Sequence, residues 1–151
     1  MLKILICCGG GFSSSYVTER MKKEVIEKNL QDQVMVEFYP FAIIDEIKDN
    51  FDIIMCCPHL KIYVEQYLKT ADIHIPIYLL PPKMYGLMRL EEIICDGQDI
   101  INLYQLNPAN PVCFPGEENL LRIKRSLAYR HHYHITGKII EPKLKWTPLF
   151  E

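Results

Sequence analysis

The sequence predicts an α/β domain: a parallel sheet covered by helices on both faces. Four short, β-favouring runs, most of them continuously apolar, recur within the first eighty residues, and segments with apolar side chains at helical spacing separate them. The first run also passes into its helix through Gly9-Gly10-Gly11. Strands buried on both faces read as unbroken apolar stretches, and alternation of strand with helix is what parallel pairing through crossovers requires.

Lys3-Ile4-Leu5-Ile6-Cys7 is the first strand, and a helix over Ser13 to Asn29 follows, with Tyr16, Val17, Met21, Val25 and Ile26 on its apolar side. Val34 to Phe38 alternates as a second strand, and Phe41 to Lys48 makes a short helix after Pro40. Phe51 to Cys57 is a third strand, halted by Pro58. Leu60 to Lys69 is helical, with Ile62, Tyr63, Tyr67 and Leu68 partly toward a core. Ile75 to Leu80 is the fourth strand, and Leu87 to Leu106 is a long helix carrying Leu90, Ile93, Ile94, Ile100, Ile101 and Tyr104. Asn107 to Gly116 holds three prolines and a glycine in ten residues, the composition of a connector. Beyond it, Glu117 to Tyr129 reads as one amphipathic helix on Leu120, Ile123 and Leu127. Thr136-Gly137 reads as a turn, and Pro142 and Pro148 discourage regular structure. The predicted division is a domain over 1–106 and a proline-containing connector with a basic extension over 107–151.

A chain of 151 residues, 49% hydrophobic and 24% charged, is sized for one globular core. No apolar stretch approaches the roughly 18 residues of a membrane span, and Leu2 to Cys8 is short for a signal peptide, so a cytoplasmic location is expected. The pairs Cys7-Cys8 and Cys56-Cys57 close apolar strands, which favours reduced thiols over a disulfide framework. Up to Leu106 ten Lys and Arg face fifteen Asp and Glu; from Asn107 onward seven face four. The acidic body argues against nucleic-acid binding, and none is expected.

In a parallel sheet ligands gather beyond the carboxyl ends of the strands, where Gly9, Gly10, Gly11 and Phe12 stand at a helix start. Glycines allow several N–H groups to converge, and the helix adds its partial positive end, so a phosphate-sized dianion suits the place. Ser13, Ser14 and Ser15 bring hydroxyls that cap the helix or donate to bound oxygens. Cys8 at the mouth of the loop is then a nucleophile whose thiolate the same donors stabilise, lowering its pKa. As plain structure, the stretch is a glycine-rich turn with a capping serine and two buried cysteines. A phosphatase-type loop needs an arginine six residues after its cysteine, where Ser14 stands; a Walker loop needs a closing Gly-Lys-Ser/Thr; a thioredoxin motif needs separated cysteines.

Cys8-Gly-Gly-Gly11-Phe-Ser13-Ser-Ser15 fits the pattern Cys-x-x-Gly-x-Ser-x-Ser, and Asp52-Ile-Ile-Met-Cys-Cys-Pro58-His-Leu-Lys-Ile-Tyr63 and Met84-Tyr85-Gly86 follow in order. On these landmarks residues 2–106 resemble the enzyme IIB component of the bacterial phosphotransferase system (PTS), lactose/cellobiose family. The resemblance implies a flavodoxin-like four-stranded parallel sheet flanked by helices on both faces, followed here by a C-terminal extension. It implies that Cys8 accepts a phosphoryl group from phosphohistidine of enzyme IIA and passes it to a sugar held by membrane enzyme IIC, with peripheral association at that membrane partner. Neither cofactor nor metal is implied. His59 stands where the family usually has glutamine, the loop is richer in glycine than usual, and the extension has no counterpart in the matched part.

The chemistry agrees with the loop's composition. Residues 8–15 contain no Asp or Glu to activate water and no Arg to clamp a transition state, which favours relay over hydrolysis. Pro58, His59 and Tyr85 are candidate rim contacts; His59 as a helix cap and Tyr85 as core filler are the commoner roles for such residues. Two other classes remain open: a regulatory or binding module without phosphoryl transfer, and a thiol-redox or metal protein using Cys8, Cys57 and His59, though no zinc-type spacing supports the latter. Arg122, Lys124, Arg125, Arg130, His131, His132 and His134 form a basic run, most simply a solvated face, with a partner, metal or nucleic-acid surface as the functional readings. Trp146, Leu149 and Phe150 are the residues expected to pack the extension on its own domain or a neighbouring subunit.

Overall fold

The computed structural model describes residues 1–8 and 12–136, with the backbone alone for 12–15 and 134–136. Four strands, β1 (Leu2–Cys7), β2 (Val34–Phe38), β3 (Ile53–Cys56) and β4 (Ile77–Leu79), form one all-parallel sheet in the order β2-β1-β3-β4. Helices α1 (Phe12–Glu27), α2 (Ile44–Ile47), α3 (Lys61–Leu68), α4 (Pro82–Leu87), α5 (Leu90–Leu106) and α6 (Tyr129–Thr136) connect and cover it. The sequence-predicted strand–helix alternation, sheet and flanking helices are all present.

Side-chain alternation along the strands divides the core between the two faces. Leu2, Ile4 and Ile6 of β1, with Val34, Val36, Ile53 and Met55, meet Met21 and Val25 of α1 and Leu90, Ile93, Ile94 and Ile100 of α5. Leu5 and Cys7, with Ile54, Cys56 and Ile77, meet Ile44 of α2, Val64 of α3 and Leu60 just before α3. Both inner faces are apolar because both are covered, which is why the strands read as continuous hydrophobic runs.

Gly97 sets how closely α5 lies on the sheet. A β-carbon there would stand 2.9 Å from Met55 Cε and 3.7 Å from Ile4 Cδ1. A methionine end can yield, so Gly97→Ala is expected to change stability by less than about 1 kcal/mol, with the helix-propensity gain of alanine offsetting the shift. Gly97→Leu should cost about 1–3 kcal/mol by overpacking, read as a lower urea midpoint.

Two sequence expectations change. The predicted helix over Leu87 to Leu106 starts three residues later, as α5 from Leu90: Leu87 is the last residue of α4, and Met88, in the left-handed region at φ 44°, separates the two helices. The predicted helix over Glu117 to Tyr129 does not form. Leu120–Arg122 is a single 3₁₀ turn, with the Asn119 side chain accepting from the Leu121 N–H, and Ile123 is extended. The reason is a pairing that helical geometry forbids. Arg125 grips Glu117 through Nε to Oε2 at 2.8 Å and Nη2 to Oε1 at 2.9 Å, whereas residues eight apart on a helix are separated by about 12 Å along the axis. The helix comes later, as α6, and Gly137 lies outside the described residues.

The segment after α5 is laid along the open edge of β4. The Asn110 side chain accepts from the Ile77 N–H at 2.7 Å and donates to the Ile75 carbonyl at 3.0 Å, and the Val112 N–H donates to the Ile77 carbonyl at 2.9 Å. These bonds satisfy edge groups that otherwise invite pairing with another chain. Phe114 and Tyr129 stack at 4.3 Å between centroids and join the core on the α5 side. The predicted solvated basic face is corrected here. Arg125 is buried, Arg130 is paired with Asp99 through Nε at 2.9 Å, and His131 Nδ1 stands 2.8 Å from Glu92. Arg122 and Lys124 are exposed, as expected. The acidic body and basic extension are thus complementary surfaces, with α5 supplying the carboxylates. Trp146, Leu149 and Phe150 lie outside the described residues.

Candidate functional site

The strand order fixes where ligands collect. From β1 the chain crosses outward to β2, and from β3 it crosses in the opposite direction to β4, so the order reverses between β1 and β3. Crevices in parallel sheets open at such a reversal, outside the carboxyl ends of the strands. Cys8 directly follows β1 at this place, and Cys57 directly follows β3. The ladder continues to the edge: Cys7 pairs with Cys56, and the Cys57 N–H donates to the Cys7 carbonyl at 3.1 Å.

All six cysteines are thiols. Cys7 and Cys56 are fully buried against the α2 and α3 layer. Burial, reinforced by Cys8 and Cys57, pushes the Cys7 thiol up to about 12, and burial likewise raises Cys56 well above its ordinary value. These two remain protonated and inert as nucleophiles. Cys8, which ends the same run, is 4% exposed and packs in the same cluster. It sits at the sheet edge four positions before Phe12, where α1 begins. Gly9, Gly10 and Gly11 lie outside the described residues; Phe12, Ser13, Ser14 and Ser15 form the first turn of α1 in backbone.

The other sequence-predicted residues come to the same edge. Pro58 opens a 3₁₀ turn, Pro58–Leu60, after β3, its fixed φ suiting a first helical position. His59 in that turn is exposed, and its ring meets Tyr85 edge-on at 6.3 Å between centroids. Tyr85 sits in α4, beyond the end of β4, half-buried and packed against apolar residues of both faces of the sheet. The edge is therefore shared by Cys8 after β1, Pro58 and His59 after β3, and Tyr85 after β4. The family-type landmarks, scattered over some eighty residues of sequence, converge because each follows the carboxyl end of a parallel strand.

Sequence reasoning missed the brace that holds this rim. Arg20 of α1 donates from Nη2 to the carbonyls of Leu87 at 3.0 Å and Met88 at 2.5 Å, tying α1 to the end of the helix that bears Tyr85. The partners are 67 and 68 positions apart, and backbone carbonyls leave no residue-type signal in a sequence. No group of three or more His, Cys, Asp or Glu that could hold a metal occurs among the described residues, and no helix among them is long and apolar enough to cross a membrane.

A four-stranded parallel sheet with a reversal in strand order between β1 and β3 places the chain among open α/β proteins, in which ligands bind outside the carboxyl ends of the strands. The model of the lactose/cellobiose-specific IIB subunit of the PTS matches residues 3–95, and the chain belongs to that family. Membership gives it a role in PTS sugar phosphotransfer, with phosphotransferase activity in the general sense, in a system where IIB domains work with IIA and IIC components. Among solved structures, the lactose-specific IIB component domain of the PTS from Streptococcus pneumoniae is similar: 21% identity and a TM-score of 0.41 over 52% of this chain and 75% of that one. No curated protein matches at a significant level.

Proposed function

We propose that Cys8 carries the phosphoryl group between a phosphohistidine of enzyme IIA and a sugar bound by membrane enzyme IIC, at the cytoplasmic side of that membrane partner. The observation that carries this reading is the position of Cys8 at the carboxyl end of β1, where the sheet order reverses and a helix follows. In the first step the sulfur attacks phosphorus, the P–N bond breaks and its electron pair returns to the imidazole. In the second a sugar hydroxyl attacks, the P–S bond breaks and the thiolate is restored, the hydroxyl proton leaving to a base on the sugar-binding side. The backbone amides and hydroxyls of Gly9 to Ser15 form the cradle for the dianion, and they hold Cys8 as thiolate.

The cradle explains selectivity for transfer. Residues 8–15 supply neutral donors and no carboxylate, so nothing in the loop activates water against the P–S bond. Residues 1–106 supply this chemistry, and residues 110–131 support it by sealing the β4 edge and α5.

Incubation with phosphorylated IIA, followed by mass spectrometry at alkaline pH, should place one phosphoryl group on Cys8; its appearance on another residue, or none at all, would overturn the assignment. His59 and Tyr85 form the rim and do no covalent chemistry. His59→Gln is accordingly expected to keep transfer within about tenfold of the parent, below the 10²–10⁴ that loss of a general acid or base costs. A larger loss in a folded variant would make His59 a participant in transfer.

A further inference from the structure

Four thiols crowd one end of β1 and β3, and a relay needs only one. Cys7 and Cys56 are register partners inside the sheet, and Cys8 and Cys57 are the residues that directly follow them beyond the two strand ends. The Cys57 N–H bonds the Cys7 carbonyl, which holds Cys57 against the end of β1 one residue before Cys8. Adjacent parallel strands lie about 4.8 Å apart, within the Cα separation of roughly 4.4–6.8 Å that a disulfide spans. Both residues belong to one packed cluster, with Cys57 2% exposed. The inner pair is held protonated by burial, so neither of its thiols competes as a nucleophile.

We infer that Cys57 is a resolving thiol for Cys8, so that oxidation by a hydroperoxide closes a reversible Cys8–Cys57 disulfide and switches the phosphoryl carrier off. In the first step the Cys8 thiolate attacks the peroxide oxygen, the O–O bond breaks, and Cys8 becomes a sulfenic acid while the peroxide leaves as an alcohol or water. In the second the Cys57 sulfur attacks the sulfenic sulfur, the S–S bond forms, and hydroxide leaves with the Cys57 proton as water. Two electrons pass from the pair of thiols to the peroxide. The approach to Cys8 that transfer from a phosphohistidine requires would also admit a molecule as small as hydrogen peroxide. The disulfide protects Cys8 from sulfinic acid, from which a carrier does not recover. A dithiol reductant reopens it. The loss of transfer rests on Cys8 being the carrier; the disulfide itself does not.

The test uses the full chain carrying Cys113→Ser, which removes the exposed thiol as a source of intermolecular bonds. Stoichiometric hydrogen peroxide should give a protein two hydrogens lighter, with the cross-link assigned to Cys8 and Cys57 by fragmentation. The bond should persist in Cys7→Ala and be absent in Cys57→Ser and in Cys57→Ala. The oxidised parent should accept phosphoryl groups at least about tenfold more slowly and regain its rate with dithiothreitol. Cys57→Ser should accept them normally when reduced, yet lose that ability irrecoverably after peroxide, with sulfinic acid on Cys8. Sulfinic acid on Cys8 of the parent, or a Cys7–Cys8 bond in place of the Cys8–Cys57 one, overturns the inference. A correctly mapped disulfide in a protein that takes no phosphoryl group from phosphorylated IIA overturns the carrier reading alone.

Discussion

Cys8→Ser is expected to lower phosphoryl acceptance from IIA by at least about 10³-fold while leaving the fold intact. The serine hydroxyl has the size of the thiol, but at neutral pH it is not appreciably ionised, and no base in residues 8–15 can take its proton. The substitution removes the proposed attacking atom alone, so the loss should fall on transfer rather than on binding. Cys8 is buried, so placing a hydroxyl there should cost on the order of 1 kcal/mol of stability, too little to unfold the domain. Radiolabel transfer from phosphorylated IIA measures the first effect and thermal melting the second. Transfer persisting in the folded variant would move the chemistry elsewhere. A variant that still associates with IIA and IIC, with unchanged cellular effects, would mark a binding module built on the same fold.

Arg125→Met should be the most destabilising single change in the extension, costing about 3–5 kcal/mol. The guanidinium is buried, and its donors are all used: Nε and Nη2 on Glu117, Nη1 on Asp96 Oδ2 at 2.8 Å and the Leu127 carbonyl at 2.9 Å, and Nη2 on the Tyr78 hydroxyl at 2.8 Å. Its plane stands over the Phe114 and Tyr129 rings at 5.2 and 5.6 Å. Burial works against its charge, but Asp96, Tyr78 and Glu117 more than compensate, and its pKa is raised. Methionine fills similar space and leaves the Asp96 and Glu117 carboxylates buried without their cation. At roughly 2–4 °C per kcal/mol the melting temperature should fall by about 10 °C. Arg125→Lys should recover only part of this, since an ammonium cannot reproduce the five-donor fork. Neutralising the acids as well, with Asp96→Asn and Glu117→Gln in the methionine background, should return stability. If Arg125→Met melts within about 2 °C of the parent, the cluster is not what holds residues 110–133 to the sheet.

That cluster shows where sequence reading stops. An arginine in a basic run looks the same whether solvated or buried, and its partners Asp96, Glu117 and Tyr78 lie 29, 8 and 47 positions away. Amphipathic spacing in Glu117 to Tyr129 suggested a helix because Leu120, Ile123 and Leu127 recur suitably, but pairing Arg125 with Glu117 demands an extended path. The long helix before it was placed correctly except at its start, where Met88 adopts a left-handed conformation that no glycine or proline announces.

Apolar runs of the right length, helical periodicity between them and a Gly9-Gly10-Gly11 loop after the first strand were enough to determine a parallel sheet, its helices and the edge on which Cys8 stands, because these are local patterns tied to backbone geometry. The convergence of Pro58, His59 and Tyr85 on that edge was implied by a family resemblance and has a direct cause in parallel topology. Only the tertiary structure decided that the basic extension seals β4 and α5, that Arg20 braces the Tyr85 helix, and that Cys57 bonds the end of β1 at Cys7. Those facts depend on contacts between distant residues, whose energies reside in pairs and burial rather than in any single residue's type or spacing.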